Sequence, residues 1–204
     1  MKKIKKIYIS ILILALSITA FSSISHAASG FQGYAIYRDG VFYNWTWHAG
    51  MMDSAYISDS YLPVLHHPGT GYVKWDTWDN FLGGKNFKGV RKPNGTVTSS
   101  DRDLFVAMGR VLRTENISYN LAYQVYYNTS TAGYWVDPED ISSMRCDGVV
   151  EYIYEWYGFR VYGSDDKWDV TRNDYWVREH HSGGSVTPET QVNYLSLVTT
   201  EVPW

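Results

Sequence analysis

Hydrophobic and polar positions change period along this chain, and each period predicts an element. Ile7 to Phe21 is an unbroken apolar run behind Lys2, Lys3, Lys5 and Lys6, followed by small residues and Ser25-His26-Ala27. The run is short for a membrane span, and the order positive, apolar, small predicts a signal peptide over 1–27, cut after Ala27. Val41 to Met52 alternates, which predicts a strand. Trp45, Trp47, Ala49 and Met51 share one of its faces, and Asn44, Thr46, His48 and Gly50 the other. Tyr61 to His67 predicts a second strand, Pro68-Gly69-Thr70-Gly71 a turn, and Tyr72 to Trp75 a third strand. Asp76 to Phe81 suits a short turn of helix. Lys85 to Ser100, rich in Gly, Lys, Pro and Asn, predicts a loop, either a lid or an exposed insertion. Asp101 to Leu112 predicts a helix with Ser100 or Asp101 as its cap and a stripe of Leu104, Phe105, Met108, Val111 and Leu112. Ile117 to Asn128 fits helix and strand alike. Apolar positions 149, 150, 153 and 157 predict a helix from near residue 143 to Gly158, with Asp140, Ser142 or Ser143 as cap. Val192 to Val198 predicts a last strand. No repeat or linker divides the chain, so residues 28–204 are expected to form a single domain.

Composition narrows the class. With 45% hydrophobic and 17% aromatic residues, disorder is excluded as the main state. Removing the leader takes away four lysines and no acidic residue, so the net charge moves from −3 to −7. An acidic chain is poorly suited to nucleic-acid backbones. The leader predicts a secreted or extracellular protein, with cell-envelope association compatible and no stable membrane anchor after cleavage.

A secreted chain with one cysteine cannot form an internal disulfide. Cys146 is therefore a buried structural thiol, an intermolecular link or a nucleophile. In the first turn of a helix, a thiolate would feel the helix dipole and free backbone N–H groups. Both lower its pKa, and the same N–H groups could hold an oxyanion. Arg145 would favour a thiolate and Asp147 would oppose it.

A thiol nucleophile needs a base. His48 sits on its strand beside small residues, and either His66 or His67 on the next strand could orient it, the other being a strand end facing solvent. His180 and His181, flanked by Ser182-Gly183-Gly184, read as a surface loop. No His-x₃-His or Cys-x₂-Cys spacing is present, so neither a metal nor an organic cofactor is implied. Most of the aromatic side chains read as packing, Trp45 and Trp47 among them.

Three pieces together resemble the permuted branch of the NlpC/P60 superfamily of papain-like thiol hydrolases, which includes the YiiX-type and lecithin:retinol acyltransferase-like proteins. Trp47-His48-Ala49-Gly50 is similar to that group's His-x-Gly strand. Val64-Leu65-His66, with the following Gly69-x-Gly71 turn, is similar to its next strand. Arg145-Cys146-Asp147-Gly148-Val149-Val150 is similar to its nucleophile helix, although Asp147 stands where a small Ser is usual. The order His then Cys is what implies the permuted branch. The resemblance, over about residues 34–160, implies an α+β fold: an antiparallel sheet packed against helices, with the nucleophile at a helix N-terminus. It implies Cys146 as nucleophile, His48 as base and His66 as orienting residue, with His67 as the alternative. Tyr119 and Asp147 become candidate substrate contacts.

The expected activity is hydrolysis of an amide or peptide bond, with a peptide or muropeptide as substrate. Acyl transfer or lipid amidase activity on the same scaffold, and a non-catalytic extracellular binding domain, are the alternatives. Asp147 is the residue that most favours the last.

Overall fold

The first strand of the fold lies upstream of the one read from the sequence. In a computed structural model, which describes residues 27–41, 46–164, 166, 168–173 and 186–204, β1 (Ala35–Val41) pairs antiparallel with β2 (Thr46–Met52). Ile36 lies opposite Gly50 and Arg38 opposite His48. β3 (Val64–His66) and β4 (Lys74–Asp76) extend the sheet beyond β2. β5 (Phe87–Lys92) pairs with the free side of β1. A C-terminal strand, Ser196–Thr199, pairs with β5 and closes the order β4-β3-β2-β1-β5-β9. The three short strands between β5 and β9 form a second sheet. There β8 (Ile141–Met144) lies between β6 (Ser118–Tyr119), to which it is parallel, and β7 (Val125–Tyr127), to which it is antiparallel.

Period-two alternation gives the main sheet two apolar faces. Ala35, Tyr37, Ala49, Met51 and Leu65 are buried in one core, together with Val149, Val150 and Ile153 of α3 (Cys146–Trp156). Ile36, Met52, Val64 and Val90 are buried in the other, against Phe81 of α1 (Trp78–Leu82). Thr77 caps α1 by accepting from the Asn80 N–H, and Gly83, at φ 56, ends it. α2 (Ser99–Thr114) packs on α3 and β2, and α4 (Pro188–Tyr194) packs on the same pair. This is an α+β fold with an antiparallel sheet packed against a few helices.

Several elements differ from the sequence expectation. The loop expected over Lys85 to Ser100 contains β5, an inner strand of the sheet. Its alternation is masked by lysine, arginine and Gly89, whose left-handed φ of 111 lets the Thr199 carbonyl approach closely. α2 begins at Ser99 and is capped by Thr98, which exchanges hydrogen bonds with Asp101. Leu104 and Val111 are exposed there, while Val106 and Gly109 are buried, so the stripe is rotated from the one expected. Within residues 117–128 there are two short strands, β6 and β7, joined by irregular backbone, and no helix. The expected last strand is a helix first, α4 to Tyr194, and only then β9. The helix that carries Cys146 does not start near 143, because 141–144 is claimed by β8; Arg145 is its N-cap and Cys146 its first residue. The predicted leader (Ala27 apart), Trp45, His180 and His181 lie outside the described residues. Among the described residues, no helix is long and apolar enough to cross a membrane.

Candidate active site

β3 stops pairing with β2 at Gly50 and His66, so beyond that point the β3 side of β2 is open. A cavity of about 310 Å³ lies at this opening, bordered by His48, Cys146, Tyr119 and Arg38. Helix α3 covers the sheet face that carries Ala49 and Met51. His48 stands on the other face by strand parity. Cys146 and His48 nonetheless both border the cavity, which lies at the open edge of β2.

A hydrogen-bond line runs through the histidines. His48 Nε2 is 2.7 Å from His66 Nδ1, and His66 Nε2 is 3.3 Å from Asp76 Oδ2. The carboxylate fixes the direction of every proton in this line. Asp76 accepts, so His66 Nε2 donates. His66 Nδ1 then accepts from His48 Nε2–H, which leaves the lone pair of His48 on Nδ1. All three side chains are buried. Burial alone would raise the Asp76 pKa. Bonds from Lys74, Asn80, His66 and the Thr77 N–H instead bring it down to about 2. Burial pushes His66 down to about 4 against the pull of Asp76. Burial, with His66, Arg38 and His67 nearby, also holds His48 well below its ordinary value. Both imidazoles are therefore neutral near pH 7. Gly50 makes the arrangement possible: a Cβ there would lie 3.0 Å from the Phe81 ring and 3.2 Å from His66 Cβ. Phe81 packs its ring 5.5 Å from both imidazoles.

The structure decides between the opposing influences that the sequence places on the thiol. Cys146 is buried, and burial together with the Asp147 carboxylate pushes its pKa up to about 12. The N–H groups of Ala49 and Asp147 and the charge of Arg145 oppose this without overcoming it. The helix N-terminus does not produce a thiolate because its donors are shared. The N–H groups of Asp147 and Gly148 also bond the Asp147 carboxylate. No hydrogen bond joins the thiol to His48, so the resting pair is a neutral thiol beside a neutral imidazole.

The other expected residues separate clearly. Of the two adjacent histidines, His66 joins His48. Neither faces solvent, contrary to expectation. His67 is fully buried, with Nε2 3.2 Å from the Ile117 carbonyl and Nδ1 accepting from Gly69 N–H at 3.4 Å. Tyr119 borders the cavity, and burial with the nearby Cys146 and Asp147 raises its hydroxyl pKa to about 12. Asp147 also borders the cavity, with its carboxylate paired to Arg145, whose Nε and Nη2 donate to the two oxygens at 3.0 and 2.6 Å. Arg145 Nη2 also donates to the Val186 carbonyl at 2.6 Å, which ties down the chain just before α4. Trp47 packs against the core as expected and also borders the cavity.

Sequence reasoning missed Asp76, Phe81 and Arg38. Asp76 had a usable signal, since Asp76-Thr77-x-x-Asn80 is a helix-start pattern directly after a strand. Arg38 had none. Among the described residues no group of three or more His, Cys, Asp or Glu is placed to hold a metal ion. No protein-family model matches the chain, and no curated protein or solved structure does either.

Proposed function

We propose that the protein is a thiol hydrolase of the permuted NlpC/P60, papain-like type that cleaves an amide or peptide bond. One observation carries this reading: the Asp76–His66–His48 line ends at the cavity that also holds Cys146. His48 Nδ1 takes the proton from the thiol as Sγ attacks the carbonyl carbon. The charge then formed on the imidazole is stabilised through His66 by Asp76, which keeps its own charge. The Cys146 N–H, at the first position of α3, is the donor we assign to the developing oxyanion. The imidazolium returns its proton to the leaving amine. Water, deprotonated by the same imidazole, then hydrolyses the thioester. The raised thiol pKa suits proton transfer concurrent with attack and does not suit a standing ion pair. The leader and the acidic chain support action outside the cytoplasm.

The buried, neutral thiol favours one competing reading, a binding domain without catalysis. Turnover separates the two. The protein is incubated with a mixed library of short peptides and cell-wall muropeptides, and new amino termini are labelled and sequenced. Cleavage that disappears in Cys146→Ala supports the hydrolase. The same products from Cys146→Ala exclude Cys146 as the nucleophile, and no products with retained peptide binding support the binding domain.

A further inference from the structure

Arg38 projects from β1 directly across from His48 and borders the cavity that holds Cys146. Its Nε donates to the Phe81 carbonyl, and its Nη1 donates to the Asp39 carbonyl at 3.1 Å. Both acceptors are backbone groups, which orient the guanidinium without neutralising it. Nη2 makes no hydrogen bond to any described residue. The Asp39 carboxylate, though attractive at a distance, is bonded to Lys88 at 2.9 Å and to Asn86 at 3.0 and 3.1 Å. The other arginine of the cavity, Arg145, is held by Asp147. The resting thiol is neutral and supplies Arg38 with no counter-charge. A half-buried guanidinium, anchored on carbonyls and lacking a carboxylate, has donors in the fork that binds one.

We propose that Arg38 forms a carboxylate-recognition subsite beside Cys146, so that the preferred substrate carries an acidic group next to the bond attacked. This rests on the reading of Cys146 and His48 as a hydrolytic pair. The subsite orients the acyl group over the thiol through two N–H···O bonds and favours acidic over neutral substrates.

Iodoacetate and iodoacetamide differ by a carboxylate in place of an amide, so the ratio of their reaction rates at Cys146 reads the subsite. Rates are measured at about pH 9, above the ordinary thiol value of roughly 8.5. The proteins compared are the native chain, Arg38→Gln and Arg38→Lys, with the urea-unfolded chain as the free-thiol reference. Any effect of Arg38 on thiolate formation cancels in the ratio. The native ratio is expected to exceed the reference by about tenfold, to fall to it in Arg38→Gln, and to recover in part in Arg38→Lys. A native ratio equal to the reference, or one unchanged in Arg38→Gln, overturns the proposal. If neither reagent modifies the folded protein at this pH, as a buried thiol with a pKa of about 12 allows, thermal unfolding with glutarate decides on the subsite, and the hydrolytic reading is decided separately by turnover. Stabilisation by glutarate that is lost in Arg38→Gln sustains it, and no stabilisation overturns it.

Discussion

Replacing Gly148 by alanine sets two physical effects against each other. Gly148 is in the first turn of α3, two residues after the thiol. In an unconstrained helix, Gly→Ala stabilises by about 1 kcal/mol. Here a Cβ would lie 2.1 Å from the Gln124 carbonyl oxygen, 2.9 Å from its carbon and 3.3 Å from Gln124 Cγ. Ordinary contact begins near 3.4 Å, so the helix start and the 124 backbone must separate by more than 1 Å. Neither side yields easily. The same carbonyl accepts the Arg145 N–H at 3.0 Å, and the buried Gln124 side chain is bonded to Glu151. Overpacking of this kind costs ~1–3 kcal/mol, and loss of the Arg145 bond adds ~1 kcal/mol. The net expectation is a loss of ~1–3 kcal/mol, after subtracting the propensity gain. Urea unfolding of Gly148→Ala beside the wild type measures it. A variant as stable as the wild type, or more stable, would refute the close approach that sets the position of Cys146.

Other substitutions probe the hydrogen-bond line and its support. Asp76→Asn presents an amide donor to His66 and so reverses both tautomers, placing a proton on His48 Nδ1. Turnover should fall by ~10²-fold or more with little change in KM, and near-wild-type kcat would contradict the assigned proton positions. Because the pKa of His48 is held below its ordinary 6.5, its imidazole stays neutral as the pH drops. The acid limb of kcat/KM should therefore fall below pH 6.5, and a limb at or above that value would contradict the burial argument. Arg145→Met leaves the Asp147 carboxylate buried without its partner and should cost about 3 kcal/mol in urea unfolding. The double variant Arg145→Met/Asp147→Leu should recover most of that, whereas equal losses would show that the pair is not coupled.

The residues legible in the sequence were those of rare type. One cysteine and few histidines could be weighed one at a time, and His48, His66, Tyr119 and Cys146 do border or reach one cavity or its hydrogen-bond line. Asp76 and Arg38 are common charged residues whose roles arise from pairing across strands, which no local pattern records. The ionisation of Cys146 was left open by the sequence, where the helix start and Arg145 oppose the adjacent Asp147; burial, a tertiary effect, is what decides it in favour of the neutral thiol. Sheet membership was lost for the same reason at β1 and β5. Arg38, Lys88, Gly89 and Arg91 break the alternation, and only pairing on both sides makes these segments inner strands. For α4 a local signal did exist: Thr187-Pro188-x-Thr190 has a capping Ser/Thr and a proline at the first helical position. The Tyr and Leu that follow outweighed it in the strand reading.

The central claim is that His48 takes the proton of Cys146 during attack on an acyl carbon. The most direct measurement is the rate at which an activated acetyl ester acylates Cys146, followed by intact mass and site mapping from acid to alkaline pH. The wild type, Cys146→Ala and His48→Ala are compared. The account predicts acylation of the wild type at Cys146 near neutral pH, although the thiol is not ionised there. It predicts none in Cys146→Ala. It predicts loss of the neutral-pH rate in His48→Ala, with reaction returning only as alkali ionises the thiol. Equal neutral-pH rates in the wild type and His48→Ala, or no acylation of Cys146 in either, would contradict it.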